Sequence, residues 1–389
     1  MKPLKNQNHT PGNHEINVKK TKTGFFSVFL FYFFVAFEFA YMAGPFAVYF
    51  YSVYSPVLNF LNEVPVLSTL IRFFLPHVVR ETASPFINGI ETAGILFSVL
   101  GFSIFVIGAC QIYYSKLTKK GAVLGGLYKY IRHPQYTSFI VCSFGLMLLW
   151  PRYIVIFFFV TLSFGYFFLA RAEEKECEQK FGDSYIEYEK HTGRFFPKLT
   201  HHQIPASDAT SKRSLPQILI SYLLTLALFY LAAFGLNRLT IASLYAIYDT
   251  NHAAIALCSL SDEKIAQVEE IAKRDPVVQN FLSANSDSEK ELNYILPTEW
   301  FAAEIPMNGI EYRSGHKSPK DYDTSKYKII FTRPQGRSSG DLDGKQLLTD
   351  TKALLPLVEV WVDIEKQEII EVKEMPETVK YAGIPEAIF

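Results

Sequence analysis

The chain has 389 residues, with 38 Lys+Arg against 38 Asp+Glu, 34 Phe, 23 Tyr and 20% charged residues. Composition excludes a collagen, a coiled coil, a disordered chain and a disulfide scaffold, and disfavours a basic nucleic-acid binder. The zero net charge is a cancellation: residues 1–236 carry 21 basic and 13 acidic side chains, and residues 237–389 carry 17 and 25, so the two halves belong in different surroundings.

After a polar tail over residues 1–23, Phe25–Phe50 is apolar and aromatic except for Glu38. A carboxylate inside a span is costly and is expected to be protonated or paired. Pro56–Pro76 is apolar but broken by Glu63, Pro65 and Arg72, and reads as an interfacial or re-entrant piece. Ala93–Tyr114 and Leu215–Leu236 are free of charge. Each long stretch meets the about 20 helical residues that a bilayer core demands. Tyr136–Trp150 and Tyr153–Ala170, separated by Pro151 and Arg152, read as two short membrane helices joined by a tight turn. About five spans are therefore predicted.

Lys/Arg counts set an expected orientation. The segments before span one, between spans two and three, and between spans four and five hold 5, 5 and 8 cations; the opposite segments hold Arg72, Arg80 and Arg152. The positive-inside rule then places the N-terminus in the cytoplasm and everything after Leu236 outside. The polar start and the long first apolar stretch argue against a signal peptide. Cys110, Cys142 and Cys177 fall in spans or on the cytoplasmic side, which leaves Cys258 alone outside. No disulfide pair or zinc spacing is evident, and His201 with His202 is too little for a metal site. An outer domain without a disulfide is compatible with a bacterial inner membrane.

Beyond the last span, Thr240–Leu257 reads as an amphipathic continuation near the membrane. Ser261 is an expected N-cap for a helix through Lys273 whose apolar face is Ile265, Val268, Ile271 and Ala272, with Pro276 ending or kinking it. Ser283–Asp323 reads as turn-rich, Tyr327–Thr332 as a strand stopped by Pro334, and Leu357–Ile364 with Glu368–Val372 as a β-hairpin. Asp341/Asp343 and Glu371/Glu374 read as solvated faces. A helix followed by strands resembles small periplasmic PepSY-type domains, though no motif carries that likeness. A binding or docking role, with a protein partner, is the expectation here.

The expected architecture is an α-helical polytopic membrane domain of about five spans followed by a soluble α+β domain. Its parts are a cytoplasmic tail (1–23), a membrane core (24–197), a cytoplasmic linker (198–214), a last transmembrane helix (215–236) and an extracytoplasmic α+β domain (237–389).

The chemistry-bearing stretch runs from Gly121 to Pro197. It opens with Gly126-Leu-Tyr-Lys-Tyr-Ile-Arg-His-Pro-Gln-Tyr136 and closes with Arg171-Ala-Glu-Glu-Lys-Glu-Cys-Glu-Gln-Lys-Phe-Gly-Asp-Ser-Tyr185, Tyr188 and Arg194-Phe-Phe-Pro197. A helix pair that turns outside returns both ends to one face, bringing Arg132, His133 and Tyr136 near Glu173 and Glu174. A charged cluster beside an aromatic, lipid-facing surface suits a site that joins a water-borne cofactor to a lipid-borne substrate.

Residues 93–197 resemble the integral-membrane methyltransferases that include isoprenylcysteine carboxyl methyltransferase and the phospholipid N-methyltransferases. The family pattern is Gly-x-Tyr-x-x-x-Arg-His-Pro-x-Tyr-x-Gly, a helical hairpin, then Glu-Glu, Phe-Gly-x-x-Tyr-x-x-Tyr and Arg-Phe-x-Pro. Gly126, Tyr128, Arg132, His133, Pro134 and Tyr136 match the first part, and Glu173, Glu174, Phe181, Gly182, Tyr185, Tyr188, Arg194, Phe195 and Pro197 the second. Two departures stand out: Ser138 replaces the final glycine of the first motif, and Cys177 replaces a leucine after Glu-Glu.

The resemblance implies S-adenosylmethionine as cofactor, held by Gly126, Tyr128, Arg132, His133, Pro134, Tyr136, Glu173 and Glu174. Arg194 and Tyr136 are the implied catalytic residues, with Arg194 orienting an anionic acceptor. The implied acceptor is a lipid or lipid-like carboxylate, thiol or amine. The residue types suit this chemistry: glutamate can bind ribose hydroxyls or the amine, arginine or histidine can pair the carboxylate, and aromatics favour a sulfonium.

Taken singly, these residues also fit plainer roles. Arg132 and Lys129 could anchor a helix end, Glu173 and Glu174 could begin a solvated helix, and the tyrosines could sit at an interface. Two further functions compete. A catalytically silent member would present the outer domain as a scaffold. A sterol-reductase-like enzyme using NADPH shares the Arg-His-Pro-x-Tyr opening and the Cys177–Gly182 pattern, but lacks the glutamate soon after Tyr136.

Overall fold

The structure, a computed structural model, describes residues 33, 36–37, 64, 67–118, 123–198, 214–284, 290–303, 305–309, 315–336 and 342–375. The expected first span lies outside these residues apart from Phe33, Ala36 and Phe37, which are helical. Glu38, His201, His202 and Asp341 also lie outside them. The chain divides into two units, one built on residues 94–147 and 157–226, the other on 54–93, 148–156 and 227–389.

The first unit is helical. It contains most of α1 (Pro85–Leu117), α2 (Pro134–Leu149), α3 (Tyr153–Phe181), α4 (Asp183–His191) and the start of α5 (Leu215–Ser243). α1, α3 and α5 are long and apolar enough to cross a membrane, and α2 is a shorter apolar helix. Among the described residues these are three candidate spans, fewer than the five expected from sequence. α3 runs well beyond Ala170, where its apolar stretch ends, because Arg171–Lys180 is rich in Glu and Lys, which favour helix without being apolar.

Small residues set the packing of α1 on α2. A Cβ at Gly101 would collide with the Cys142 backbone nitrogen and the Ser138 carbonyl, and one at Gly145 with Gly94 and Ser98. Gly94, Ser98 and Gly101 repeat at the same spacing as Ser138, Cys142 and Gly145, so two small-residue stripes bring the backbones together. Ser138, where the family pattern has glycine, is buried, and its hydroxyl donates to the Gln135 carbonyl at 2.8 Å. Beside this seam Phe105 stacks on Phe139 at 3.9 Å, and Phe139 and Tyr136 both stack on Tyr166.

The second unit carries a six-stranded sheet of β1 (Tyr245–Asp249), β2 (His252–Ala256), β3 (Glu291–Pro297), β6 (Lys326–Gly336), β7 (Thr351–Asp363) and β8 (Glu368–Glu374), in the order β1-β2-β3-β6-β7-β8. β2 and β3 are parallel and the other neighbours antiparallel. The short strands β4 (Phe301–Ala302) and β5 (His316–Lys317) pair separately. The β2–β3 crossover passes through α6 (Asp262–Lys273) and α7 (Pro276–Ala284); α8 (Gly344–Asp350) precedes β7. Ile255, Tyr294, Tyr327 and Phe331 from the sheet meet Ile265, Val268 and Ile271 of α6 in the core.

Ser261 caps α6, and its apolar face is buried as its periodicity predicts. The β7–β8 hairpin also forms as expected. As expected, α6 ends just before Pro276, which itself opens α7, since proline at a first helical position forfeits no bond. Three expectations for this region are corrected. Thr240–Leu257 is no amphipathic helix: α5 ends at Ser243, and a β1–β2 hairpin turns through Asp249-Thr-Asn251, with Asn251 at φ 58°. Ser283–Asp323 contains the central strand β3, which is buried on both faces and so shows no alternation. β6 passes through Pro334, because the residues that pair with β3 end at Ile330 and proline lies beyond them.

Three segments distant in sequence meet within this unit. Phe73 and Arg152 form a β-bridge, the Phe74 amide donates to the Pro151 carbonyl at 2.8 Å, and Arg152 donates to the Ile71 carbonyl while lying 4.1 Å from the Phe73 ring centroid. Val78 and Val79 join the sheet's core, and the Arg80 and Glu81 amides donate to the Leu257 carbonyl. Two of these segments hold Arg72, Arg80 and Arg152, the few cations that the sequence reading expects on the outer side.

Candidate active site

The site forms where the residues before α2 meet the end of α3 and the segment after α4. Gly126 begins a 3-10 turn (Gly126–Lys129) with φ 62°. A Cβ there would strike the Gln111 carboxamide of α1, which accepts from the Leu127 amide at 3.3 Å. Tyr128 is buried, and its carbonyl accepts the Tyr188 hydroxyl at 2.6 Å. Ile131 bridges Gly193, and the Arg132 and His133 amides donate to the Gly193 and Arg194 carbonyls at 2.8 and 3.1 Å. Pro134 then starts α2, with Tyr136 in its first turn.

Glu174 is the centre of an ion cluster. Its carboxylate accepts from Arg132 Nε at 2.8 Å, from Arg194 Nε at 2.8 and 2.9 Å, and from Arg194 Nη2. His133 Nε2 lies 3.3 Å away. Only 4% of its side chain is exposed, so these partners replace its water. Arg132 also donates through Nη1 to the Thr192 and Glu189 carbonyls at 2.7 and 3.1 Å, and Nη2 lies 3.0 Å from the Glu189 carboxylate. The Arg194 guanidinium lies 5.5 Å from the Phe167 ring centroid.

Glu173 differs from its neighbour. Its side chain is 41% exposed, it accepts the Tyr136 hydroxyl, and it lies 3.3 Å from His133 Nδ1. Burial works against a charged imidazole at His133, but the two glutamates outweigh it and raise its pKa. His133 stacks on Tyr136 and packs near Phe195, whose carbonyl accepts from Thr137. Burial also pushes the Tyr188 hydroxyl up to about 12, which keeps it a neutral donor.

The structure thus brings Arg132, His133, Tyr136, Glu173, Glu174 and Arg194 together. Gly126, Tyr128 and Pro134 shape the backbone that carries them. Gln111, Glu189, Thr192 and Gly193 contribute without having been singled out by the sequence. Gln111 had one signal, a carboxamide in an uncharged apolar stretch; Glu189 had none among the charges around it. Gly193 is required sterically, since a Cβ would collide with the Phe196 carbonyl. No group of three or more metal-ligating side chains occurs among the described residues.

Comparison with curated proteins and with solved structures gives no match. Residues 90–184, which span α1, α2 and α3 and hold most of this cluster, match the family model for phospholipid methyltransferase, one of the families that their motifs resemble.

Proposed function

We propose that the chain is an integral-membrane methyltransferase that moves a methyl group from S-adenosylmethionine to a lipid or lipid-like acceptor. The observation that carries this reading is the pairing of a half-exposed glutamate, a stacked His133–Tyr136 face and a buried arginine–glutamate hub within the matched segment. The donor set fits the cofactor. Glu173, with 41% of its side chain exposed, can take ribose hydroxyls or the amine. Bound adenosylmethionine supplies the activated methyl group. The chain's residues position it and exclude water, which is most of what an in-line displacement requires.

Arg132, Glu174, Gly126, Tyr128 and Pro134 hold that geometry, and Arg194, with 30% of its side chain exposed, orients an anionic acceptor. The site lies on the cytoplasmic side by the positive-inside rule, with residues 237–389 outside as a docking module. Titration calorimetry on detergent-purified protein with adenosylmethionine, its demethylated product and NADPH tests the reading. Heat with the first two and none with NADPH is expected; heat with NADPH alone would overturn it for a reductase.

A further inference from the structure

We infer that Glu189 is a positioning residue that aims Arg132, and through it the His133 turn, for cofactor binding; the inference rests on the methyltransferase reading above. All three guanidinium nitrogens of Arg132 are engaged within the chain: Nε with Glu174, Nη1 with the Glu189 and Thr192 carbonyls, and Nη2 with the Glu189 carboxylate at 3.0 Å. With 7% of its side chain exposed, Arg132 needs a second carboxylate, because Glu174 is shared with Arg194 and His133.

Glu189 is presented for this purpose by its helix. α4 follows Gly182, which sits at φ 56° and lets the chain reverse from α3. Lys198 Nζ donates to the Glu189 and Lys190 carbonyls at 2.9 Å and so fixes the last turn of α4. The neighbouring Lys190 and His191 side chains are engaged by Glu187 at 3.0 Å. Glu189 is left facing Arg132. Arg132 in turn fixes the residue beside it, since its amide and that of His133 pair with Gly193 and Arg194.

The consequence is specific. Loss of the Glu189 carboxylate leaves the buried guanidinium without its second counter-charge at Nη2, and the Arg132–His133 turn is held less firmly against the Glu173 face. Affinity for adenosylmethionine should fall about tenfold in Glu189→Gln, the effect of one charge-assisted hydrogen bond. The KM for the cofactor should rise to match, with kcat and the acceptor KM unchanged. Glu189→Asp, which retains the charge on a shorter arm, should recover part of the loss. Asp183→Asn, which removes an exposed carboxylate from the first turn of the same helix, should bind as wild type does.

Calorimetry with adenosylmethionine on the four full-length proteins, with melting curves, tests this. A wild type that binds and a Glu189→Gln variant that melts normally but binds more weakly supports the inference. Equal affinity of the wild type and both Glu189 variants overturns it and leaves the methyltransferase reading intact. Absence of binding by the wild type overturns both. Should Glu189→Gln fail to fold, Glu189→Asp decides: unchanged affinity and KM would overturn the inference.

Discussion

Glu173 and Glu174 are adjacent in the chain and have opposite surroundings, one half-exposed and the other enclosed by Arg132, Arg194 and His133. Their substitutions should therefore separate. Glu174→Ala leaves two arginines without their shared carboxylate and should cost about 3 kcal/mol of stability, read as an earlier melt in detergent. Glu173→Ala removes a partly solvated group and should change stability by about 0.5 kcal/mol or less, while abolishing cofactor binding. His133 adds a pH signature. Its folded-state pKa is raised above the ordinary imidazole value of about 6.5, so the stabilisation is full below about 6.5 and is lost as pH rises through the raised value. Melting temperature should fall as pH rises through that window in wild type and stay flat in His133→Gln.

At the scale of elements, the α1–α2 seam is set by glycines rather than by large apolar side chains. Gly101→Ala should destabilise by about 1–3 kcal/mol, because its Cβ meets backbone that cannot yield. Gly165→Ala, with nothing within 4 Å of its Cβ, should be neutral or slightly stabilising. Melting curves of the two variants give the comparison directly. Much of this level was legible in the sequence: the apolar stretches, the Pro151 turn and the Ser261 cap all announced themselves by composition or local chemistry. α3 beyond Ala170 did not, because its continuation is polar, and β3 did not, because a strand buried on both faces has no alternation to read. The site was legible as two motifs. The third piece, Glu189 to Gly193, was hidden because its roles depend on how α4 folds back.

For the whole molecule, the segments around Phe73, Pro151 and Leu257 belong to one unit, and the sequence holds few cations there. A five-span topology, its first span outside the described residues, would set them all on the outer face. Lys366→Cys, in the exposed β7–β8 turn, should then react with a membrane-impermeant maleimide in right-side-out vesicles. Labelling solely after the vesicles are opened would reverse the orientation. The cancelling charges of the two halves are thus the sum of a cation-rich half that holds the apolar helices and an acidic half that holds the six-stranded sheet.

The central claim is methyl transfer to a lipid, and one measurement reaches it. Purified protein in nanodiscs made from membrane lipid extract is incubated with methyl-labelled adenosylmethionine, and the organic phase is counted. Label should appear in the lipid fraction with wild type and be absent with Glu173→Ala. A wild-type lipid fraction no more labelled than a protein-free control, in preparations that bind the cofactor, would contradict the claim and leave a silent scaffold in its place.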